Sequence, residues 1–483
     1  MTLESVVLAA GLGGALVAGA SFHQGGRRPA ASHPRRGARW ARRRDVRNLV
    51  VSMHAPATGR LALGRVPGRL SAAVLATERA QSVVVVGPTQ SGKTSCVAVP
   101  AILDWPGPVL ATSVKGDLLR DTRVSRAHRG QVWCIDPTQS TGFPASTWSP
   151  LTGCADWHHA CRVAADLCET ARADGTTADG EFWYATAAKF LAPLLLAAAR
   201  ARRTMADVVR WVDTQEVTEV ADILERDGPA EALAAAQASW CRDERTRSSV
   251  TTTAETVLAP FAQAPESNVA APFEPLHLLG GCHTLYLCAP AHDQRRLRGY
   301  FSAVTQQVLA TAFAQATRTG RPLDPPLLVV LDEAAHIAPL PELDGLAATC
   351  ASHGIQLVTI WQDLAQVKGR YGPRAPTVLN NHRAKLFLPG IADPETLEYA
   401  SRLVGDEEVT QPAVTRDPRG ARSTTSTTGP RRLLPPEELR CLRRGQAVLV
   451  YGTLPPVRLH LKPWWAGART RPVRRVTRRP PPP

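Results

Sequence analysis

Gly87-Pro-Thr-Gln-Ser-Gly-Lys93-Thr94 places two glycines, a lysine and a hydroxyl at the spacing that wraps a phosphate group. An apolar run, Val83 to Val86, precedes it and an apolar stretch, Cys96 to Leu103, follows. That order is strand, glycine-rich loop, helix. Such a loop aims backbone N–H groups at one point, at a helix N-terminus where partial positive charge collects. Gly87, Pro88, Thr89, Gln90, Ser91, Gly92, Lys93, Thr94 and Ser95 form the span expected to bind nucleotide, with ATP and Mg²⁺ as the ligands. Lys93 would reach the β- and γ-phosphates, and Thr94 would offer its hydroxyl to the metal. The bland alternative, a coincidental turn, does not account for the strand–helix setting.

A second constellation supplies hydrolytic chemistry. The run Leu327 to Leu331 closes on Asp332-Glu333, which reads as a buried parallel strand with carboxylates at its C-terminal edge. Asp332 would hold Mg²⁺ through water, and Glu333 would polarise the attacking water. A later strand, Ile355 to Trp361, ends in Gln362, placed to sense a γ-phosphate or to orient water. Taken alone, an acidic strand end is also a common solvated turn, and a strand-end Gln carries little weight.

These residues must be positioned by alternating strands and helices. Val109 to Asp117, with a polar end, Gln131 to Asp136, His283 to Cys288, Ala384 to Leu388 and Gln446 to Tyr451 read as further strands. The expected fold is α/β: a P-loop nucleotide-binding domain over residues 61–150 and 276–463, with a parallel-rich sheet covered on both faces. Such sheets bind ligands at the C-terminal strand edge, where Lys93, Asp332 and Gln362 fall. Residues 151–275 are rich in Ala, Leu and Arg and read as an inserted all-helical domain, with helices over Phe182–Arg203 and Glu231–Arg245. Residues 411–430, rich in Thr, Ser, Arg and Pro, read as a mobile loop, and 464–483 as a disordered basic, Pro-rich tail.

The chain has 483 residues, 44% hydrophobic and 20% charged, a globular composition that excludes a wholly disordered chain. Its net charge of +15 is uneven: residues 27–47 hold nine Arg and one Asp, and residues 464–483 hold six Arg and no acid. The body between them is close to neutral, so the charge does not describe a uniformly DNA-coated surface. Ten Cys without a C-x-x-C pair fit a reducing compartment. Cys154, Cys161 and Cys168 recur every seven residues with His158 between the first two; core thiols and a metal site are the two readings.

Val6 to Phe22 carries no charge, with Glu4 before it and Arg27, Arg28, Arg35 and Arg36 after. Residues 1–25 therefore read as a short N-terminal membrane helix, the N-terminus outside and the bulk of the chain cytoplasmic, followed by a basic juxtamembrane linker over 26–60. A cleavable signal peptide is the rival, supported by Ala18-Gly-Ala20 and opposed by the acidic start. The cluster Arg39 to Arg47 suits topology control, anionic lipid or nucleic acid.

Thr112-Ser-Val-Lys-Gly-Asp-Leu118, Leu331-Asp-Glu-Ala-Ala335, Gly354-Ile-Gln-Leu-Val-Thr-Ile-Trp-Gln-Asp-Leu-Ala-Gln366 and Lys385-Leu-Phe-Leu-Pro-Gly390 together resemble type IV coupling proteins of the TraG/TraD kind, within the FtsK/HerA-like group of P-loop NTPases. The resemblance covers roughly residues 60–460. It implies a membrane-anchored ATPase with a RecA-like motor domain, hexameric, that delivers DNA with bound relaxase to a type IV secretion channel. Many relatives have two membrane helices, whereas this chain has one short candidate, which makes it a single-pass protein of the bacterial cytoplasmic membrane. By the same resemblance Lys93 and Thr94 serve phosphate and Mg²⁺, Asp332 the metal, Glu333 as catalytic base and Gln362 as sensor. Lys115 and Asp117 match a family string with no assigned role, and a strand-end turn explains them equally. Many relatives carry an Arg before the Gly-Ile that opens the Ile355 strand, where this chain has Cys350-Ala-Ser-His353. Arg370 and Arg383 are the substitutes for a neighbour-supplied arginine finger. Two rival functions stand beside this one: an FtsK-like DNA translocase, and a docking receptor that recruits cargo with little hydrolysis.

Overall fold

The computed structural model describes residues 37–52, 59–67, 73–154, 156–172, 178–262, 272–416 and 422–466. The expected membrane helix and the Pro-rich end of the tail lie outside the described residues. In chain order the strands are β1 (Val50–Val51), β2 (Ala62–Arg65), β3 (Val74–Ala76), β4 (Val83–Val86), β5 (Val109–Ser113), β6 (Val132–Ile135), β7 (Thr284–Cys288), β8 (Leu327–Leu331), β9 (Ile355–Trp361), β10 (Ala384–Phe387), β11 (Asp406–Arg416), β12 (Arg422–Arg432), β13 (Gln446–Tyr451) and β14 (Val457–His460).

Twelve of them form one sheet in the order β1-β3-β2-β14-β13-β10-β4-β9-β8-β5-β7-β6. From β10 to β6 every neighbouring pair is parallel. The remaining strands extend the sheet beyond β10 in antiparallel fashion. The parallel strands are apolar at consecutive positions because helices cover both faces. β4 is four valines, all buried, and their side chains alternate: Val84 and Val86 join one core, Val83 and Val85 the other.

Between β6 and β7 the described residues form helices only, the longest being Trp157–Ala171, Ala178–Arg200 and Glu244–Leu258. They share one continuous apolar core with one face of the sheet. The stretch Gly180–Arg200 is the one described helix long and apolar enough to cross a membrane, and most of it is packed inside the protein. The expected helix Glu231–Arg245 is two helices, Ala230–Trp240 and Glu244–Leu258. Asp243 divides them: its carboxylate accepts the Thr246 N–H at 3.0 Å, a start signal inside the apolar pattern.

Residues 411–430 do not form the expected loop. Those of them that are described, 411–416 and 422–430, lie in a two-stranded ribbon, β11 with β12, registered from Asp406 opposite Arg432 to Arg416 opposite Arg422. β11 carries Val409, Thr410, Val414 and Thr415, and β12 carries Thr424, Thr425, Thr427 and Thr428; β-branched residues favour extended backbone whatever their polarity. At the base, Arg431 pairs with Glu407 and Arg432 with Glu398.

β9 and β10 rest on a buried imidazole. His382 Nδ1 lies 2.7 Å from the Val378 carbonyl and Nε2 lies 3.1 Å from the Thr359 hydroxyl, whose oxygen accepts from Trp361 Nε1 at 3.0 Å. These partners fix a neutral ring that donates through Nδ1 and accepts through Nε2. Burial pushes the His382 pKa down to about 4. Its folded value lies below its unfolded value, so the unfolded chain binds the proton first. Stability from this site is complete above about pH 6.5 and is lost as pH falls towards about 4, by up to about 3 kcal/mol. Urea titrations from pH 7 to pH 4 should show this slope, and His382→Gln should flatten it.

Candidate nucleotide site

The phosphate loop begins where β4 ends. Gly87 donates its N–H to the Trp361 carbonyl at 3.1 Å, tying the loop to the end of β9. A Cβ at Gly87 would lie 2.7 Å from both Leu388 Cβ and Ser91 Oγ, so only glycine fits this approach. Gln90 and Gly92 adopt positive φ, 63° and 98°, which reverses the chain and turns the loop into a cradle. The helix that follows starts with wide winding over Lys93–Ala98, and Val99 donates to the Thr94 carbonyl. Pro100 supplies the reason. It has no N–H for the Cys96 carbonyl, and its ring displaces that carbonyl from ordinary helical spacing.

Lys93 is buried, with Nζ donating to the carbonyls of Gly87 at 2.7 Å and Pro88 at 3.1 Å. Burial lowers its pKa, and the carboxylates of Glu333, Asp332 and Asp363 pull it back up. The ammonium therefore lies in the field of three acids on the adjoining strand ends. Thr94 Oγ1 donates to Asp332 Oδ2 at 2.9 Å. Asp332 is nearly sealed, and its pKa is pushed up to about 7, by burial first and then by Glu333 and Asp117, against the Thr94 hydroxyl and Lys93. A hydroxyl and a carboxylate oxygen held together are the hard donors that a small divalent cation takes, so these residues fit Mg²⁺. Thr112 fixes the Asp332 backbone, its hydroxyl donating to the Asp332 carbonyl at 3.0 Å.

Glu333 stands at φ 57°, a left-handed conformation rare for a residue with a Cβ. That twist ends β8 and turns the carboxylate towards β9, where Oε2 accepts from Gln362 Nε2 at 3.1 Å. Lys93, Thr94, Asp332, Glu333 and Gln362 thus meet at the C-terminal ends of the neighbouring strands β4, β9 and β8. Asp117 lies at the end of β5, accepting from Ser113 Oγ at 3.0 Å and from the Leu118 N–H at 2.9 Å, while Lys115 is exposed. Arg383 lies at the opposite end of its strand from the phosphate loop, paired with Glu78 at 2.8 Å. Arg370 is half-buried near Tyr371 and Glu169, and burial lowers its pKa.

Cys168 and Cys154 are buried, and burial pushes each thiol up to about 12, the behaviour of core residues. No group of three or more His, Cys, Asp or Glu side chains placed to hold a metal ion occurs among the described residues. Sequence reasoning missed Thr112, Pro100 and Gln366. The last was legible as an Asp-x-x-Gln cap after the β9 strand.

A family model described as "Type IV secretory system Conjugative DNA transfer" matches residues 50–471, most of the chain. The chain belongs to this family. Within the conjugative DNA transfer family it is 25% identical over 462 residues to the "Conjugal transfer protein TraG" of Escherichia coli, covering 84% of this chain and 70% of that protein. It is 25% identical over 349 residues to "Protein VirD4" of Agrobacterium fabrum (strain C58 / ATCC 33970), covering 67% of this chain and 49% of that one. The chain thus spans about half the length of VirD4. Among solved structures, "Bacterial conjugative coupling protein TrwBdeltaN70" superposes with a TM-score of 0.66 at 18% identity, covering 88% of this chain and 93% of that one. "Plasmid coupling protein TrwB in complex with ADP and Mg2+" superposes with a TM-score of 0.65 at 18% identity, covering 90% and 97%. These likenesses show a TrwB-like fold, α/β with a large, mostly parallel sheet.

Proposed function

We propose that this coupling protein binds ATP with Mg²⁺ and spends its hydrolysis on delivering DNA, with bound relaxase, to a type IV secretion channel. The convergence of Lys93, the Thr94–Asp332 pair and the Glu333–Gln362 pair on one strand edge carries this reading. TrwB, the structural neighbour, has been solved in complex with ADP and Mg²⁺. The metal, held by Thr94 and, through water, by Asp332, would neutralise charge on the phosphates. Lys93 would exchange its two carbonyl acceptors for phosphate oxygens. Glu333 would take a proton from the attacking water at Oε2, with Gln362 holding that carboxylate and the water in line.

The working form in this reading is a homo-hexamer, anchored in the cytoplasmic membrane by residues 6–22. DNA contacts would go to phosphates and be independent of sequence, so binding should fall steeply with salt. The test is ATP hydrolysis by the full chain with and without single- and double-stranded DNA, beside Glu333→Gln. Turnover stimulated by DNA and lost in the variant is the expected result. Turnover that depends on Glu333 but ignores DNA would move the cargo to protein. No turnover from folded, nucleotide-binding protein would favour the docking receptor.

A further inference from the structure

Gln362 follows the last residue of β9. The β4–β9 register ends at Val86 opposite Trp361, and the β8–β9 register at Leu331 opposite Thr359. Gln362 is therefore past the ladder, and something else must fix its backbone before its amide can meet Glu333. Its N–H donates to Gln366 Oε1 at 2.9 Å. The Gln366 N–H donates in turn to Asp363 Oδ1 at 2.9 Å. This is a reciprocal cap on the helix Leu364–Tyr371, shifted so that the glutamine side chain holds the residue before the N-cap. One helical turn converts the helix's rigidity into a fixed direction for the Gln362 side chain. An outer brace holds the same turn: the Leu364 N–H donates to Thr396 Oγ1 at 2.9 Å, and the Thr396 N–H to Asp393 Oδ2 at 2.8 Å.

We propose that Gln366 is a positioning residue for phosphoryl transfer: through the Gln362 backbone it aims the Gln362 amide at the Glu333 carboxylate. The proposal rests on the hydrolytic reading above. Asp363 shares the cap but also acts on Lys93, so its removal would mix two effects. The Gln366 side chain reaches the site through Gln362, and its substitution leaves the backbone bond to Asp363 in place, which makes it the clean probe. A displaced Gln362 would still leave Lys93, Thr94 and Asp332 to bind nucleotide. The loss should therefore fall on turnover and not on affinity.

The experiment uses the full chain and six variants, two of which, Glu333→Gln and Gln362→Ala, report on the hydrolytic reading itself. Gln366→Met keeps the volume and removes the acceptor, and Gln366→Ala serves if Met disturbs packing. Gln366→Glu keeps an acceptor oxygen at the same reach. Asp243→Ala removes an N-cap of the same kind far from the strand edge. For Gln366→Met, kcat should fall roughly tenfold while KM and the affinity for a fluorescent nucleotide stay within about twofold. Gln366→Glu should restore most of kcat, and Asp243→Ala should leave it alone. Without nucleotide, amide exchange at Gln362 should be slow in the wild type and in Gln366→Glu, and fast in Gln366→Met. Unchanged exchange in Gln366→Met overturns the proposal whatever the turnover. So does wild-type kcat in Gln366→Met when Gln362→Ala and Glu333→Gln are inactive, a result that leaves the hydrolytic reading standing. An equal loss in Asp243→Ala would assign the effect to general helix stability and also overturn it. Wild-type turnover in Glu333→Gln and Gln362→Ala would bring down the hydrolytic reading, and the proposal with it.

Discussion

Glu333→Gln should lower ATP turnover by about a thousandfold, the scale of losing a positioned general base, while nucleotide affinity changes less than about threefold. The amide has the size of the carboxylate, and its oxygen can still accept from Gln362 Nε2, so the 3.1 Å contact survives in kind. What disappears is the capacity to take a proton. The backbone argues against a folding artefact: residue 333 is at φ 57°, and Gln bears that conformation at the same cost as Glu. Steady-state hydrolysis beside direct nucleotide titration separates the two effects. A variant that hydrolyses at the wild-type rate would remove Glu333 from the chemistry. A variant with lost affinity would make it a binding group.

Lys93→Ala should cost about a hundredfold in nucleotide affinity and leave no measurable turnover. An ammonium on phosphate oxygens makes charge-assisted hydrogen bonds worth about 1.5–3 kcal/mol each. The stability of the empty protein should move little. The substitution takes Nζ from the Gly87 carbonyl and from the Pro88 carbonyl, which still accepts from the Ser91 hydroxyl at 2.8 Å, but it also releases a desolvated cation whose pKa burial lowers. Titration calorimetry with ATP and Mg²⁺ measures the first effect and thermal unfolding without ligand the second. Wild-type affinity in this variant would make the loop an ordinary turn.

The two variants probe different ends of one site. Glu333 and Gln362 come together because β8 and β9 are neighbours, and Lys93 joins them because β4 lies on the other side of β9. Such adjacency is a property of strand order, on which local pattern is silent. The apolar runs at Val83, Leu327 and Ile355 announced three buried strands, but no periodicity says that they lie side by side.

The ribbon shows the limit from the other side. Thr, Ser, Arg and Pro between 411 and 430 have the polarity of a loop, yet β11 and β12 pair along eleven positions, with β-branched Thr in both strands and Val in β11 shaped for extended backbone. Polarity reported exposure, and exposure was mistaken for irregularity. The antiparallel extension was half visible: β13 was legible as an apolar run, whereas β1, β2 and β3 are too short to carry a pattern.

Local chemistry was enough for the phosphate loop, the acidic strand end and Gln362, because each depends on a few consecutive residues and on the φ/ψ that glycine permits. The family resemblance was legible for the same reason. Only the tertiary structure placed Thr112 on the Asp332 carbonyl, gave Glu333 its left-handed turn towards Gln362, and put Gln366 behind Gln362. Those contacts join positions that meet only after the sheet has set its strand order and the helix after β9 has closed its first turn, and burial, which shifts Asp332 and Lys93, does not exist until then.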